Sequence, residues 1–370
     1  MRMRSVGALL LSGGIALFLL AGVRADEDHV GPYRFLTTVK INGDLAGGFD
    51  ISWVDSTHAR YYLADRGNAT LTPPIAPTVD VIDTRRGTLV TQIALNARGN
   101  GVVAIHKSAG DDDEEDSESP GEVWVGDSNS FVEVIDLKTN TIVADIPTHG
   151  VARADELAFD PRDGIIVVAN DQDPIPFLSF ISTKTRMVIG TLPYPQVVFG
   201  TPPKGHGLEQ TVWNSRAGKF YLSVPATSAN PKGEVNEIDP VKMIVTRVIP
   251  TTCGPAGLAL VPEQRLVTSC GDIVTLATGK VTNVAGLSAD EIWFNRGDER
   301  VYFGARVTVP VLDVDSDSVV ATLTVGDATV TPAHTTHSVA ADSHNNRIFV
   351  PVSHEGVKIY TDARQDDNHE

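Results

Sequence analysis

A chain of 370 residues with a formal net charge of −17 repels nucleic acid and anionic membrane, which argues against a polyanion-binding role. Such a surface suits a soluble protein working outside the cytoplasm, and one that gathers divalent cations. The length admits two average domains, but an internal repeat argues for one.

The first residues have the three parts of an export signal. Met1 to Arg4 is a basic start, Val6 to Val23 is an apolar run, and Val23-Arg24-Ala25 sets small residues at the −3 and −1 positions of a cleavage site. Residues 1–25 are therefore expected to be a signal peptide, with the mature domain over 26–362 and a polar tail over 363–370. An uncleaved anchor is the alternative, because the apolar run is long. No other stretch is apolar enough to span a bilayer. Cleavage would remove Arg2, Arg4 and Arg24 and no acid, making the mature chain more negative still. The expected address is periplasmic or secreted.

Next comes a lone strand, Tyr33–Ile41, followed by repeats. Asp80–Ile93, Glu133–Ile146 and Val311–Leu323 each read as two β-branched runs around a polar turn, and the first two share the pattern Val-Ile-Asp…Thr…Val. These are hairpins. Degenerate copies occur at Phe180–Leu192, Glu237–Ile249 and Ile273–Val284. Upstream of the hairpins lie seven candidate second strands: Ala59–Asp65, Glu122–Asp127, Gly164–Asn170, Lys219–Val224, Arg265–Cys270, Arg300–Gly304 and Arg347–Val352. Before these, inner-strand candidates end in Asp or Asn turns. Four strands per unit at this period define β-propeller blades. The last unit stops after Val357–Tyr360 without a fourth strand, and Tyr33–Ile41 can supply it. The expectation is an all-β, seven-bladed propeller whose N-terminal strand closes the ring and removes an open edge.

Asp111 to Glu118 is a run of acids broken by one serine, expected to be a solvated loop. Cys253 and Cys270 flank a hairpin, strand 257–261, turn 262–264 and strand 265–269, which brings both to one open end. In an oxidising compartment they are expected to form a disulfide; two thiols holding a metal is the rival reading. No phosphate loop, haem-attachment motif or nucleophile elbow is present.

The hairpins and the final unit Phe349-Val-Pro-Val-Ser-His-Glu-Gly-Val-Lys-Ile-Tyr360 resemble the YVTN/NHL-type propellers, secreted and surface proteins of bacteria. The resemblance spans nearly all of the mature chain. A narrower one concerns the inner strands. Gly207-Leu-Glu-Gln-Thr-Val-Trp-Asn214 is similar to an inner strand of the gluconolactonase/senescence-marker family, in which the Glu binds a metal in the channel. Asp155–Asp160 and Asp290–Asn295 look like strands of that family whose leading Asp or Asn also binds it. This chain has one more blade and places Gln210, Glu156 or Glu291 where the family has glycine.

Aligning the inner strands on their turns gives two columns facing the axis. The first is Phe49, a residue near Gly101, Asp155, Glu209, Ala256, Asp290 and His337. The second is Asp50, an unassigned blade-two residue, Glu156, Gln210, Gly257, Glu291 and Ser338. Like charges packed in a narrow channel call for a cation. The expected divalent metal ligands are Asp155, Glu209, Asp290 and His337. An all-oxygen set favours calcium or magnesium, and the histidine moves the choice toward manganese, iron or zinc. His149, His206 and His334 lie in loops expected to ring the same mouth. Glu156, Glu291 or His206 would move protons in a metal-dependent hydrolase or lyase acting on a small cyclic ester. Against this stands a non-catalytic binding or scaffold protein with a structural cation, and the plainer possibility of a polar, water-filled channel. A histidine-rich copper centre fits less well. His58, His344 and His354 read as surface residues, and the tryptophans 53, 124, 213 and 293 as packing between blades.

Overall fold

The computed structural model describes residues 33–106, 121–198 and 207–362. The signal-like segment 1–25, the acidic run 111–118, His206 and the tail 363–370 lie outside them. The described residues build seven four-stranded antiparallel sheets, a seven-bladed β-propeller. Blade one spans Phe49–Ala94, blade two Gly99–Pro147, blade three Leu157–Pro193 and blade four Thr211–Pro250. Blade five spans Leu258–Asn283, blade six Ile292–Thr324, and blade seven Ala340–Asp362 together with Tyr33–Val39. Among the described residues no helix is long and apolar enough to cross a membrane.

The strand chemistry follows from position within a blade. Second strands such as Ile165–Asn170 are buried along their whole length because each is sandwiched between neighbouring blades. Outer strands such as Met187–Pro193 alternate exposed and half-buried residues. The apolar core is accordingly a set of slabs between blades. Trp124, Val134, Ile166 and Val168, from blades two and three, share one such slab.

The recurring Ile-Asp is a turn device. Asp83, Asp136 and Asp239 each accept two backbone N–H groups of the turn that follows. The pairing register slips just before the Ile in blades one, two and four, which adds the local twist of a β-bulge. The inner turns repeat the idea two strands earlier in the blade. Asp160, Asn214, Asn295 and Asp342 accept N–H groups from Arg162, Arg216, Gly297 and His344. These caps are why Asp and Asn mark the repeat so visibly.

The ring closes as the sequence predicts. Tyr33–Val39 pairs antiparallel with Gly356–Asp362, and Tyr33 stands opposite Asp362. Arg300 of blade six locks this seam. Its Nη1 donates to the Tyr33 hydroxyl at 2.6 Å and to Asp362 Oδ2 at 2.7 Å. Both charged partners are almost wholly buried. In blade five every strand is only four residues long, and there the Cys253 and Cys270 sulfurs lie at bonding distance, 2.09 Å. The disulfide expectation therefore holds, and paired sulfurs leave no thiols for a metal.

Two stability outcomes follow. Arg300→Met, which takes the guanidinium away from the buried Asp362 carboxylate and the Tyr33 hydroxyl, should cost about 3–5 kcal/mol in denaturant unfolding. Replacing both cysteines by serine should remove about 3 kcal/mol, given the 17-residue separation; an unchanged urea midpoint would show blade five needs no crosslink.

Candidate functional site

Backbone register places the two columns as aligned from sequence in blades three to seven, but a bulge in blade one puts Asp50 in the first column, in place of Phe49, and Ile51 in the second. The N–H groups of Asp155, Glu209 and Asp290 donate to Ala169, Ser223 and Gly304 of their own second strands. The carbonyls of Glu156, Gln210, Gly257 and Glu291 accept from the matching second-strand positions. Blade two bulges at the same place, so Asn100 takes its first-column position and Gly101 its second. Glycine occupies the second column in blades two and five because the next inner strand comes too close. A Cβ on Gly101 would lie 2.0 Å from the Asp155 carbonyl oxygen, and one on Gly257 would lie 2.5 Å from that of Asp290. Gln210 and Ser338 also join blades. Gln210 Oε1 accepts the Leu258 N–H at 2.6 Å, and Ser338 Oγ accepts that of Ser52 at 3.0 Å.

The remaining members form one electrostatic group at the channel mouth: Asp50, Asp155, Glu156, Glu209, Asp290, Glu291 and His337. Asp50, Asp155, Glu156, Glu209 and Glu291 are each at most 9% exposed, while Asp290 is exposed. Two arginines that the sequence reading passed over thread between them. Arg153 binds Asp155 at 2.5 Å and Asp171 at 2.9 Å and reaches Asp50 at 3.6 Å. Arg66 pairs with Asp50 and donates to Asn100 Oδ1 at 2.8 Å. The signals were local: Arg153 lies two residues before Asp155, and Asp171 directly follows the second strand of the same blade. His337 stacks on Phe49 with ring centroids 4.7 Å apart and meets Asp50 Oδ1 at 3.2 Å.

Charge in this group is settled by proximity. Burial works to raise Asp50, but the His337 hydrogen bond, then Arg66 and Arg153, outweigh it and hold its carboxyl below the usual range. The same contact raises His337 despite burial. Asp155 is pushed well up by burial, with Arg153 opposing and Asp171 adding. Glu209 is pushed well up by burial, then by Asp290 and Asp171. Glu156 of blade three and Glu291 of blade six meet across the axis through a carboxyl–carboxyl hydrogen bond. Both are raised by burial first, and Glu291 is raised further by Glu156. One proton between them removes one of the like charges.

The other predicted loop histidines stand apart. His149 is exposed and makes no hydrogen bond or ion pair with this group among the described residues. His334 binds Glu355 at 3.0 Å and stacks against His354. Below the mouth the channel is lined by half-buried apolar side chains, with Trp53 and Trp293 touching edge to face at 5.3 Å. Trp124 is wholly buried between blades, as expected.

For a metal, the donor chemistry fits and the spacing is open. Asp155 Oδ1 and Glu156 Oε1 are buried without a hydrogen-bond partner, which is unusual for carboxyl oxygens. No three of Asp155, Glu209, Asp290 and His337 bring ligand atoms within 4.8 Å of one another. Among the described residues two groups do so: Cys253, Cys270 and Asp272, whose sulfurs are already paired, and Asp55, His58 and His106. The last group was not anticipated as a unit, because its members sit in two different blades. No protein-family model matches this chain, and no curated protein matches it.

The raised carboxyls set a direction for pH. Beyond the mouth, burial and Asp80 push Asp65 up to about 7, and burial pushes Glu133 up to about 7. Acids whose folded pKa exceeds the unfolded value stabilise the fold below the unfolded value and lose that contribution as pH rises through the folded one. Metal-free protein should therefore have a lower melting temperature at pH 8 than at pH 5; the reverse order would mean these carboxyls are ionised in the fold.

Proposed function

We propose that the protein is an exported propeller that binds a divalent cation at the channel mouth in exchange for protons and hydrolyses a small cyclic ester there. The observation that carries this reading is the excess of buried carboxyls over cations, with two carboxyl oxygens left unpartnered. The inner-strand likeness to the gluconolactonase family and the apolar channel wall beneath the mouth support a small, uncharged cyclic substrate. The signal-like N-terminus and the disulfide support export.

Asp155, Glu209, Asp290 and His337 would hold the ion, and a divalent cation supplies Lewis-acid polarisation and a more acidic bound water. The chain's own residues do the rest. Arg153 fixes the Asp155 carboxylate, and Phe49 and Asp50 fix the His337 ring. The Glu156–Glu291 pair holds one proton that a reacting ester can take up or return. His206 is a further proton carrier in this reading.

A second reading is favoured by one observation: Arg153 already contacts three carboxylates. In that reading the mouth is a polar seal in a non-catalytic binding or scaffold protein of the YVTN type. Elemental analysis of mature protein purified without chelator separates the two. The expected result is near-stoichiometric metal in the wild type, lost in Glu209→Gln and Asp290→Asn together with lactone hydrolysis. Because ligand protons must leave, affinity should rise with pH. Metal-free wild type with no activity on lactones or esters would establish the binding protein.

A further inference from the structure

The turn that closes the inner hairpin of blade one differs from its counterparts. Asp55 holds the capping position, and its Oδ1 accepts the His58 N–H at 3.2 Å, the same work done by Asp160 and Asp342. Its second oxygen has another use. Asp55 Oδ2 lies 2.7 Å from His58 Nδ1 and 2.5 Å from His106 Nε2. His106 comes from the end of the blade-two inner strand, so the group spans two blades. The two imidazoles stack at 3.9 Å.

Nothing in the fold requires two imidazoles here. The turn is capped without them. The other nitrogen of His106, Nδ1, is buried with no hydrogen-bond partner, and the ring fits only because residue 121 is glycine: a Cβ there would come within 2.4 Å of that nitrogen. The Asp55 side chain is 8% exposed, so its charge is largely withdrawn from water and fixed in place, while His58 is 47% exposed and free to adjust. These are the features of a ligand set closed over its own centre.

We propose that Asp55, His58 and His106 form a binding site for a first-row divalent transition metal, separate from the channel mouth. Two imidazole nitrogens and one carboxylate oxygen suit zinc, cobalt, nickel or copper and are a poor match for calcium or magnesium, which prefer all-oxygen shells. Metal–ligand bonds near 2.0–2.1 Å in a tetrahedron place ligand atoms ~3.3 Å apart, so binding requires the rings to draw back from Asp55 by under about 1 Å. The exposed His58 ring can make that movement. Three protein ligands leave a coordination position open. Asp55 and His106 border a cleft with Trp53, Trp293, Phe294 and Arg296, where water or an added anion can complete the shell. The site does not depend on the lactonase reading.

The test uses full mature protein stripped of metal. Cobalt chloride is titrated while the visible spectrum is followed, and zinc binding is measured by calorimetry. The wild type should bind cobalt with the intense visible bands of a four- or five-coordinate site, undisturbed by excess calcium. His58→Ala removes an exposed ligand and should melt like the wild type. Asp55→Asn keeps the capping oxygen and replaces the ligand oxygen by an amide. Each should weaken cobalt binding by at least roughly 100-fold and change the spectrum, while His344→Ala, which removes an exposed imidazole of blade seven, should leave both as in the wild type. Wild type that binds no cobalt, binding unchanged in both blade-one variants, or binding lost to the same extent in His344→Ala would each overturn the proposal.

Discussion

Seven inner strands converge on one axis, and the side chains that begin them have nowhere to point but toward one another. That convergence governs both the stability and the chemistry of this molecule. In blades two and five it excludes any side chain from the second column, leaving Gly101 and Gly257 against the next strand's carbonyls. In blades three and six it drives Glu156 and Glu291 together across the axis. The same crowding turns Gln210 and Ser338 from site candidates into ties between blades. A column of equivalent positions is thus divided by the fold into spacers, ties and a charged remainder.

The remainder is held by three means at once. Arg153 and Arg66 supply positive charge, burial favours the protonated form of Asp155, Glu209 and the glutamate pair, and His337 meets the Asp50 carboxylate. Each is an alternative to a bound cation and each is reversible. Protons can leave, and the arginine contacts can open. A mouth stabilised in this way is primed to exchange its protons for another positive partner, and the exchange costs the protein least where carboxyl oxygens already lack a donor.

Most of the architecture was legible because the fold uses the same local chemistry repeatedly. Asp83, Asp136 and Asp239 cap equivalent turns, so the Ile-Asp pair marks hairpins; the incomplete last unit pointed to Tyr33–Ile41. The second strands 122–127, 219–224 and 347–352 were placed to the residue, since alternation and turns bound them on both sides. The mouth carboxylates were legible for the same reason, as equivalent positions in a repeat. What escaped was whatever depended on neighbouring blades. Asn100 was hidden by a bulge that shifts the count. Arg153, Arg66 and Asp171 stand outside the columns, in the loops beside the inner strands, so the repeat alignment does not mark them. Asp55, His58 and His106 lie 51 residues apart at their extremes, and His58 alone looks like any turn residue.

The closing sheet joins the two ends of the described chain, Tyr33 against Asp362. Six blades can form as the polypeptide becomes available in order, each resting on the one before. The seventh cannot, because its outer strand is made first and its three inner strands last. Until residue 362 arrives, Tyr33–Val39 has no partner, and the edge it will cover does not exist. Folding therefore ends with a long-range closure whose entropic cost is met in one step. The fold acts as its own length check: a chain cut short anywhere before that strand leaves an open ring with an unpaired edge at each end.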